Sequence, residues 1–254
     1  MLEEFLSFNL FALFLVFARI GAAMMLLPGF GEVYVPPQVR LLLAILISIL
    51  MTPIVAAGLP ALPASPWQLL FLLASEVVIG AFFGTVGRIL LSSLFVAGMV
   101  ISYQIGLANA FVNDLTAAQQ GSIVGNFLTV TGLLLLFVTN VHHLMLASVI
   151  ESYDVFVAGA PLPLGDFAEA MTMVVGKSFV IAAQIAAPFF VLGMVFYLGL
   201  GLLSRLMPQV QVFFIVIPVQ IALGLLVMAL TGIAMLSWFL REFQSDFASV
   251  FVGG

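Results

Sequence analysis

Few side chains in this sequence could do chemistry. Its 254 residues hold six Lys or Arg, eleven Asp or Glu, two His and no Cys. The two histidines, His142 and His143, are neighbours. Adjacent residues on a helix point about 100° apart, so they cannot hold one metal ion as an i, i+4 pair would. A packing or interface role suits them better, with proton sensing as the chemical option. The lack of cysteine excludes disulfides and thiolate metal sites. No phosphate-cradling glycine loop, nucleophile with a base, or metal-ligand cluster is legible. The sequence predicts no catalytic residue, no cofactor and no metal, and the chain reads as a non-enzyme.

The remaining polar side chains are informative by position. Arg19, Glu76, Arg88, Lys177 and Arg205 lie within or beside long apolar runs. A charge deep in hydrocarbon costs at least about 2.5 kcal/mol, so each implies a partner or a nearby interface. Arg19 either snorkels to an interface or pairs with a carboxylate on a neighbouring helix or subunit. Glu76 and Arg88 are too far apart to pair within one helix, about 18 Å along its axis, so each needs another partner. Gln209 and Gln220 carry amides that require hydrogen bonds wherever water is shut out. Gln209 stands in a polar hinge, Ser204 to Phe213, and Gln220 in the apolar run that follows it. Pro208 suits a helix start, whereas Pro218 stands inside the run and is expected to break it, as Pro188 is in the run before.

These residues are carried by elements that only a membrane or companion proteins can satisfy. Hydrophobic residues make up 64% of the chain and charged ones 7%, where a soluble domain carries about a quarter charged. No soluble core hides so much apolar surface. Nucleic-acid binding has no support: the basic residues are scattered singly and the net charge is −5. The predicted fold class is all-α, one helical membrane domain over residues 1–254 with long, kinked helices and hairpins. The start, Met1 to Phe5, lacks a basic n-region, so the first helix is expected to stay.

A first span is expected over Phe5–Leu27, then an ordered loop from Pro28 to Arg40, with Pro37 just inside a new helix start. Leu41–Ala57 is a second span, and Leu59–Pro66 a proline-punctuated linker. Trp67 to Val112 as one helix would be about 70 Å long, so a split is expected near Gly87 and Arg88. Gly80 and Gly84 have a GxxxG spacing, taken as packing. Ile123–Ile150 holds one span ending near Asn140. Glu151 to Asp166 reads as a polar loop, with Asp166 and Glu169 spaced as a capping box. Phe167–Leu203 is again too long for a simple span, and the last helix is expected over Val210–Leu240.

From Ser102 to Ser122 runs the longest polar-leaning insertion. A solvent loop is the simple explanation. Phe111, Val112 and Leu115 are apolar, however, which suggests that the insertion packs into something.

Four stretches together resemble one family. Arg205-x-x-Pro208-Gln209-x-x-x-Phe213 with Pro218-x-Gln220-Ile221-x-x-Gly224 is similar to the last hairpin of the FliR family, export-gate subunits of flagellar and virulence-associated type III secretion systems. Pro28-x-x-Gly31-x-x-x-x-Pro36-x-x-x-Arg40, Gln104-x-Gly106 and His142 to Ser152 match the same family in the same order. The resemblance implies assembly with FliP-like and FliQ-like subunits, and a FlhB-like one, into a helical export gate in the bacterial inner membrane, at a flagellar basal body or injectisome base. It implies a channel for unfolded exported proteins, and a loop that plugs it at Phe111, Val112, Asn113, Asp114, Leu115, Gln119, Gln120 and Gly121. Asp114-Leu115 stands where the family often has Asp-Pro. The competing class is a proton-coupled secondary transporter, with Pro188 and Pro218 breaking helices around a substrate and Glu76 or Lys177 as coupling groups. A passive membrane scaffold is the third.

Overall fold

The computed structural model describes residues 2–107, 122–206 and 212–252. Among them are seven α-helices and no strand: α1 Leu2–Leu26, α2 Pro37–Val55, α3 Pro66–Gln104, α4 Ile123–Val138, α5 Val141–Val155, α6 Leu164–Leu206 and α7 Val212–Val252. A single 3-10 turn, Ala56–Gly58, follows α2. The all-α class is as expected.

Local chemistry explains most helix ends. Pro37 begins α2, where its missing N–H would have had no partner within the helix. The proline-rich linker has no helix until Pro66, and Trp67 follows it exposed. Asn140, with φ of 60°, separates α4 from α5; asparagine tolerates this left-handed conformation better than most residues.

Several expected breaks do not occur. α3 runs for 39 residues without a split at Gly87 and Arg88, so it is about 58 Å long. It holds no proline after Pro66, and a glycine alone weakens a helix without ending it. α6 continues through Pro188 and α7 through Pro218. Each proline forfeits one hydrogen bond, a loss that the long flanking helices absorb. Glu151 to Asp154 belong to α5, and the loop is confined to residues 156–163. Asp166 lies inside the first turn of α6 and is no N-cap, because the helix already starts at Leu164. The carboxylate still faces the positive end of the helix dipole.

The helices form two compact units. The first comprises Met1–Leu90, Leu136–Val175 and Gln244–Gly254. Its core is a face of α1 (Phe11, Ala12, Leu15, Val16, Ile20, Ala23, Leu27) with one of α3 (Ile79, Phe82, Phe83, Val86, Leu90), both at helical spacing. Phe82 stacks on Phe167 at 4.3 Å, and Phe156 meets Phe167 edge-on at 5.1 Å. α1 and α3 approach closely at the glycines. A Cβ at Gly80 would meet the Arg19 carbonyl oxygen, and one at Gly84 the Leu26 Cβ and, at 2.9 Å, the Ala23 oxygen. The GxxxG spacing is thus packing, as anticipated.

The second unit comprises Leu91–Leu135 and Gly176–Phe243. Here α3 and α4 touch backbone to backbone: a Cβ at Gly98 would collide with Gly125. Leu94, Ala97, Ile101, Leu128, Ile185, Phe189 and Phe239 are buried.

On α2 burial is inverted relative to a soluble protein. α2 buries Ala44, Ser48 and Thr52, small residues at four-residue spacing, and packs on α1. The two hydroxyls bond back to Ala44 and Ser48 carbonyls one turn earlier. Leu42, Ile45, Leu46, Ile49, Leu50 and Ile54 are exposed instead. On α6 the exposed side chains include Phe179, Val191, Met194, Val195, Leu198 and Leu202. Four helices are long and apolar enough to cross a membrane, and the broken pair α4–α5 would make a fifth.

Gly84→Leu should separate α1 from α3 at a cost of about 1–3 kcal/mol. The expected result is a lower denaturation midpoint of the purified protein in SDS titration, with Gly58→Leu, which meets open space, as the neutral control.

Candidate functional site: two polar junctions between helices

The close approach at Gly80 brings Arg19 to Glu76. Side chains tilt toward the helix N-terminus, so Arg19, whose own carbonyl rests on Gly80, reaches back one turn of α3. Its Nε donates to Glu76 Oε2 at 2.7 Å and its Nη2 to Oε1 at 3.1 Å, the two-pronged geometry that suits guanidinium and carboxylate. Nη1 donates to Ser152 Oγ at 3.0 Å and Nη2 also to the Phe156 carbonyl at 2.9 Å. Four of the five guanidinium N–H groups are thereby engaged. The Tyr153 ring lies 3.7 Å from the guanidinium carbon and supplies a cation–π face. Both Arg19 and Glu76 have 0% exposure. Of the two options for Arg19, the carboxylate pair within the chain is the one observed; snorkelling is not.

The other cations of the sequence are placed differently. Arg88 is exposed, and its Nη2 donates to the Gly31 carbonyl at 3.2 Å. Arg40 braces the same loop through Glu32 and Val35 carbonyls at 2.9 and 3.2 Å. Arg205 is exposed in the last turn of α6, where a cation favours the helix dipole. Lys177 is half-buried on α6.

A second junction lies in the other unit. α3 ends at Gln104, and Gly106 follows with φ of 74°, a conformation glycine adopts without strain. The last carbonyls of a helix lack partners within it. Gln220 of α7, only 5% exposed, supplies one: its Nε2 donates to the Gln104 carbonyl at 2.6 Å. Space for the junction is made by glycines. A Cβ at Gly193 would meet Gln104 Oε1, and one at Gly224 the side chain of Ile105. Gln104-x-Gly106 and Pro218-x-Gln220-Ile221-x-x-Gly224, far apart in sequence, are two sides of one contact.

On the far side of the inserted segment, Ser122 is fixed as well. Its Oγ donates to the Gly98 carbonyl at 3.1 Å and lies 2.8 Å from Ser102 Oγ. It accepts the Gly125 N–H at 2.9 Å, capping α4. The plug residues Phe111, Val112, Asn113, Asp114, Leu115, Gln119, Gln120 and Gly121, with Pro208 and Gln209, lie outside the described residues.

Sequence reasoning missed Ser152, Tyr153 and Phe156 as companions of Arg19, and Gly193 and Ser122 as parts of the second junction. Ser152 and Tyr153 stood in a stretch assigned to a loop. Gly193 carries no local signal, since only the neighbour it admits reveals its use. His142 stacks on Phe137 at 4.7 Å beside His143, and its buried Nδ1 has no partner among the described residues. No group of three metal-ligating side chains is found among the described residues.

Long helices that leave many large apolar side chains exposed and pair their few buried charges define a polytopic, all-helical membrane protein. Residues 10–245 match the profile of the bacterial export proteins, family 1. The chain belongs to this family. It is 36% identical over 231 residues to the flagellar biosynthetic protein FliR of Caulobacter vibrioides, covering 90% of this chain and 92% of that one. It is 28% identical to the FliR of Bacillus subtilis, over 85% and 84% of the two chains. It is also 25% identical to the Yop proteins translocation protein T of Yersinia pestis, over 71% and 70%. The resemblance that four short stretches suggested therefore extends over nearly the whole chain, and the protein is a membrane subunit of a type III secretion export gate.

Arg19→Met or Glu76→Gln alone should cost about 3–5 kcal/mol, because each leaves a buried partner uncompensated. Arg19→Met with Glu76→Met should cost far less than the two single losses added. SDS-titration midpoints of the purified variants check both statements.

Proposed function

We propose that the chain works in the bacterial inner membrane as the FliR-type subunit of a flagellar export gate, bound to FliP-like and FliQ-like subunits and neighboured by a FlhB-like one. Unfolded substrate proteins pass along the axis of the assembly, and the chain itself catalyses no reaction. The observation that carries this reading is the family match across residues 10–245, joined to the apolar exterior of helices longer than a bilayer requires. α3 and α6, with 39 and 43 residues, would span about 58 and 64 Å against a hydrocarbon core of about 30 Å. The excess apolar length calls for protein neighbours, because water would not cover it favourably. The single match across both units supports their acting as one domain. In the assembly, residues 111–121 occlude the path at rest.

A proton-coupled transporter is less well supported. Glu76, a proposed coupling group, is fully buried and held by Arg19 at both oxygens.

Two measurements test the reading. Purified in mild detergent, the tagged chain should bring down two different small membrane proteins in fixed ratio; solute uptake by the chain alone in liposomes would refute the gate role. Deletion of residues 111–121 should raise ion leakage through the assembled complex, while unchanged leakage would remove the plug.

A further inference from the structure

Two of the chain's cations meet at the turn between α1 and α2. Arg88 Nη2 donates to the Gly31 carbonyl at 3.2 Å, and Arg40 Nη2 donates to the Glu32 carbonyl at 2.9 Å. Those carbonyls are consecutive, so the two Nη2 atoms are no more than about 11 Å apart. Among the described residues neither guanidinium has a carboxylate partner. Glu32 gives Arg40 its backbone oxygen, and the carboxylate of Glu76 is taken by Arg19. Two like charges held that close are unfavourable beside an apolar phase unless an anion answers them.

Bracing the turn uses only part of either side chain. Arg88 is exposed, and its Nε and Nη1 make no bond among the described residues. Arg40 Nη1 faces the Met25 thioether at 3.7 Å, a weak acceptor, and its buried Nε has no partner among the described residues. No side chain caps α2, whose N-cap is Pro36, so the positive end of its dipole opens on the same turn.

The turn also stands at a membrane level. Along α3, Trp67 and Arg88 are about 32 Å apart, close to the roughly 30 Å of a hydrocarbon core. Trp67 is 71% exposed, as interfacial aromatic residues are. A Cβ at Gly87 would meet Pro28 at 2.9 Å, so the α1–α2 turn lies beside Arg88, at the opposite interface. Tyr34, exposed on the turn, suits that interface, and α2 leaves it with Leu42, Leu46 and Ile49 exposed where acyl chains would lie.

We infer that Arg40, Arg88 and the first turn of α2 form a site for the headgroup phosphate of an anionic phospholipid. Guanidinium groups match phosphate in geometry and charge, and basic pockets between helices at a membrane surface take such headgroups. Arg40 and Arg88 against Glu32 leave the turn one net positive charge, which favours an anionic headgroup over a zwitterionic one. The inference rests on the chain's place in a membrane and not on its role in an export gate.

The test uses the full chain purified in a neutral detergent. Native mass spectrometry counts retained lipid, and melting curves are taken with dioleoylphosphatidylglycerol, dioleoylphosphatidylcholine or inorganic phosphate. Phosphatidylglycerol should be retained and raise the melting temperature, phosphatidylcholine should not, and high salt should weaken the effect. Arg88→Gln should raise the half-saturating phosphatidylglycerol concentration about fivefold, the loss expected for one interfacial cation. Arg88→Lys, which keeps the charge, should restore most of it. Gln38→Glu places an anion in the first turn of α2, where a helix accepts it, and should weaken binding without harming the fold. Equal effects of the two lipids overturn the inference, as does unchanged binding in both Arg88→Gln and Gln38→Glu. Inorganic phosphate matching phosphatidylglycerol at equal concentration assigns the site to a soluble anion and overturns the lipid. Arg88→Gln that keeps the lipid but loses copurifying membrane subunits gives the cation to an acidic face of a neighbour, and also overturns it. If Arg88→Gln does not accumulate, Gln38→Glu decides by the same criteria.

Discussion

The fold depends on one buried ion pair. Arg19 and Glu76 would each be prohibitive alone in an apolar core, and together they are acceptable because four of the five guanidinium N–H groups and both carboxylate oxygens are hydrogen-bonded. That requirement constrains the surrounding chain. α1 must touch α3 closely enough for the two-pronged geometry, which is why glycine stands at 80 and 84. α5 must end where its Phe156 carbonyl and Ser152 hydroxyl meet the guanidinium. Three helices are thereby held in one register that apolar contacts alone, which tolerate sliding, would not specify.

The same logic recurs at lower charge in the second unit. Gln220 and Gln104 are neutral, so the cost of leaving them unpaired is smaller and their contact more readily opened. Glycines again set the distance, at 193 and 224. A membrane protein has little hydrophobic drive to bring its helices together, since lipid is as apolar as a leucine face. Small residues and paired polar groups do the specifying, while large apolar side chains both fill the core and cover much of the exterior.

The inference that overlong apolar runs must divide failed for a physical reason. Helix length is limited by bilayer thickness only where lipid surrounds the helix. Backbone hydrogen bonds in α3, α6 and α7 are satisfied internally at any length, and neither glycine at 87 nor proline at 188 or 218 removes enough of them to end a helix. The loop expected at Glu151–Asp154 failed likewise: Glu151 and Asp154 are the exposed face of the last turn of α5, and Ser152 and Tyr153 its buried face on Arg19.

The sequence by itself determined the class of protein. Apolar content, the scarcity of charge and the proline and glycine clusters at 28–37 and 59–66 are enough for an all-helical membrane chain, and four short motifs were enough for its family. It also marked Arg19, Glu76 and Gln220 as needing partners, because an isolated polar group in apolar surroundings announces its own deficit. Which partner each finds was decided only by tertiary structure. Arg19 and Glu76 are 57 residues apart, and Gln104 and Gln220 are 116 apart. Separations of that size depend on how whole helices pack, and that packing is a cooperative property which no local spacing encodes.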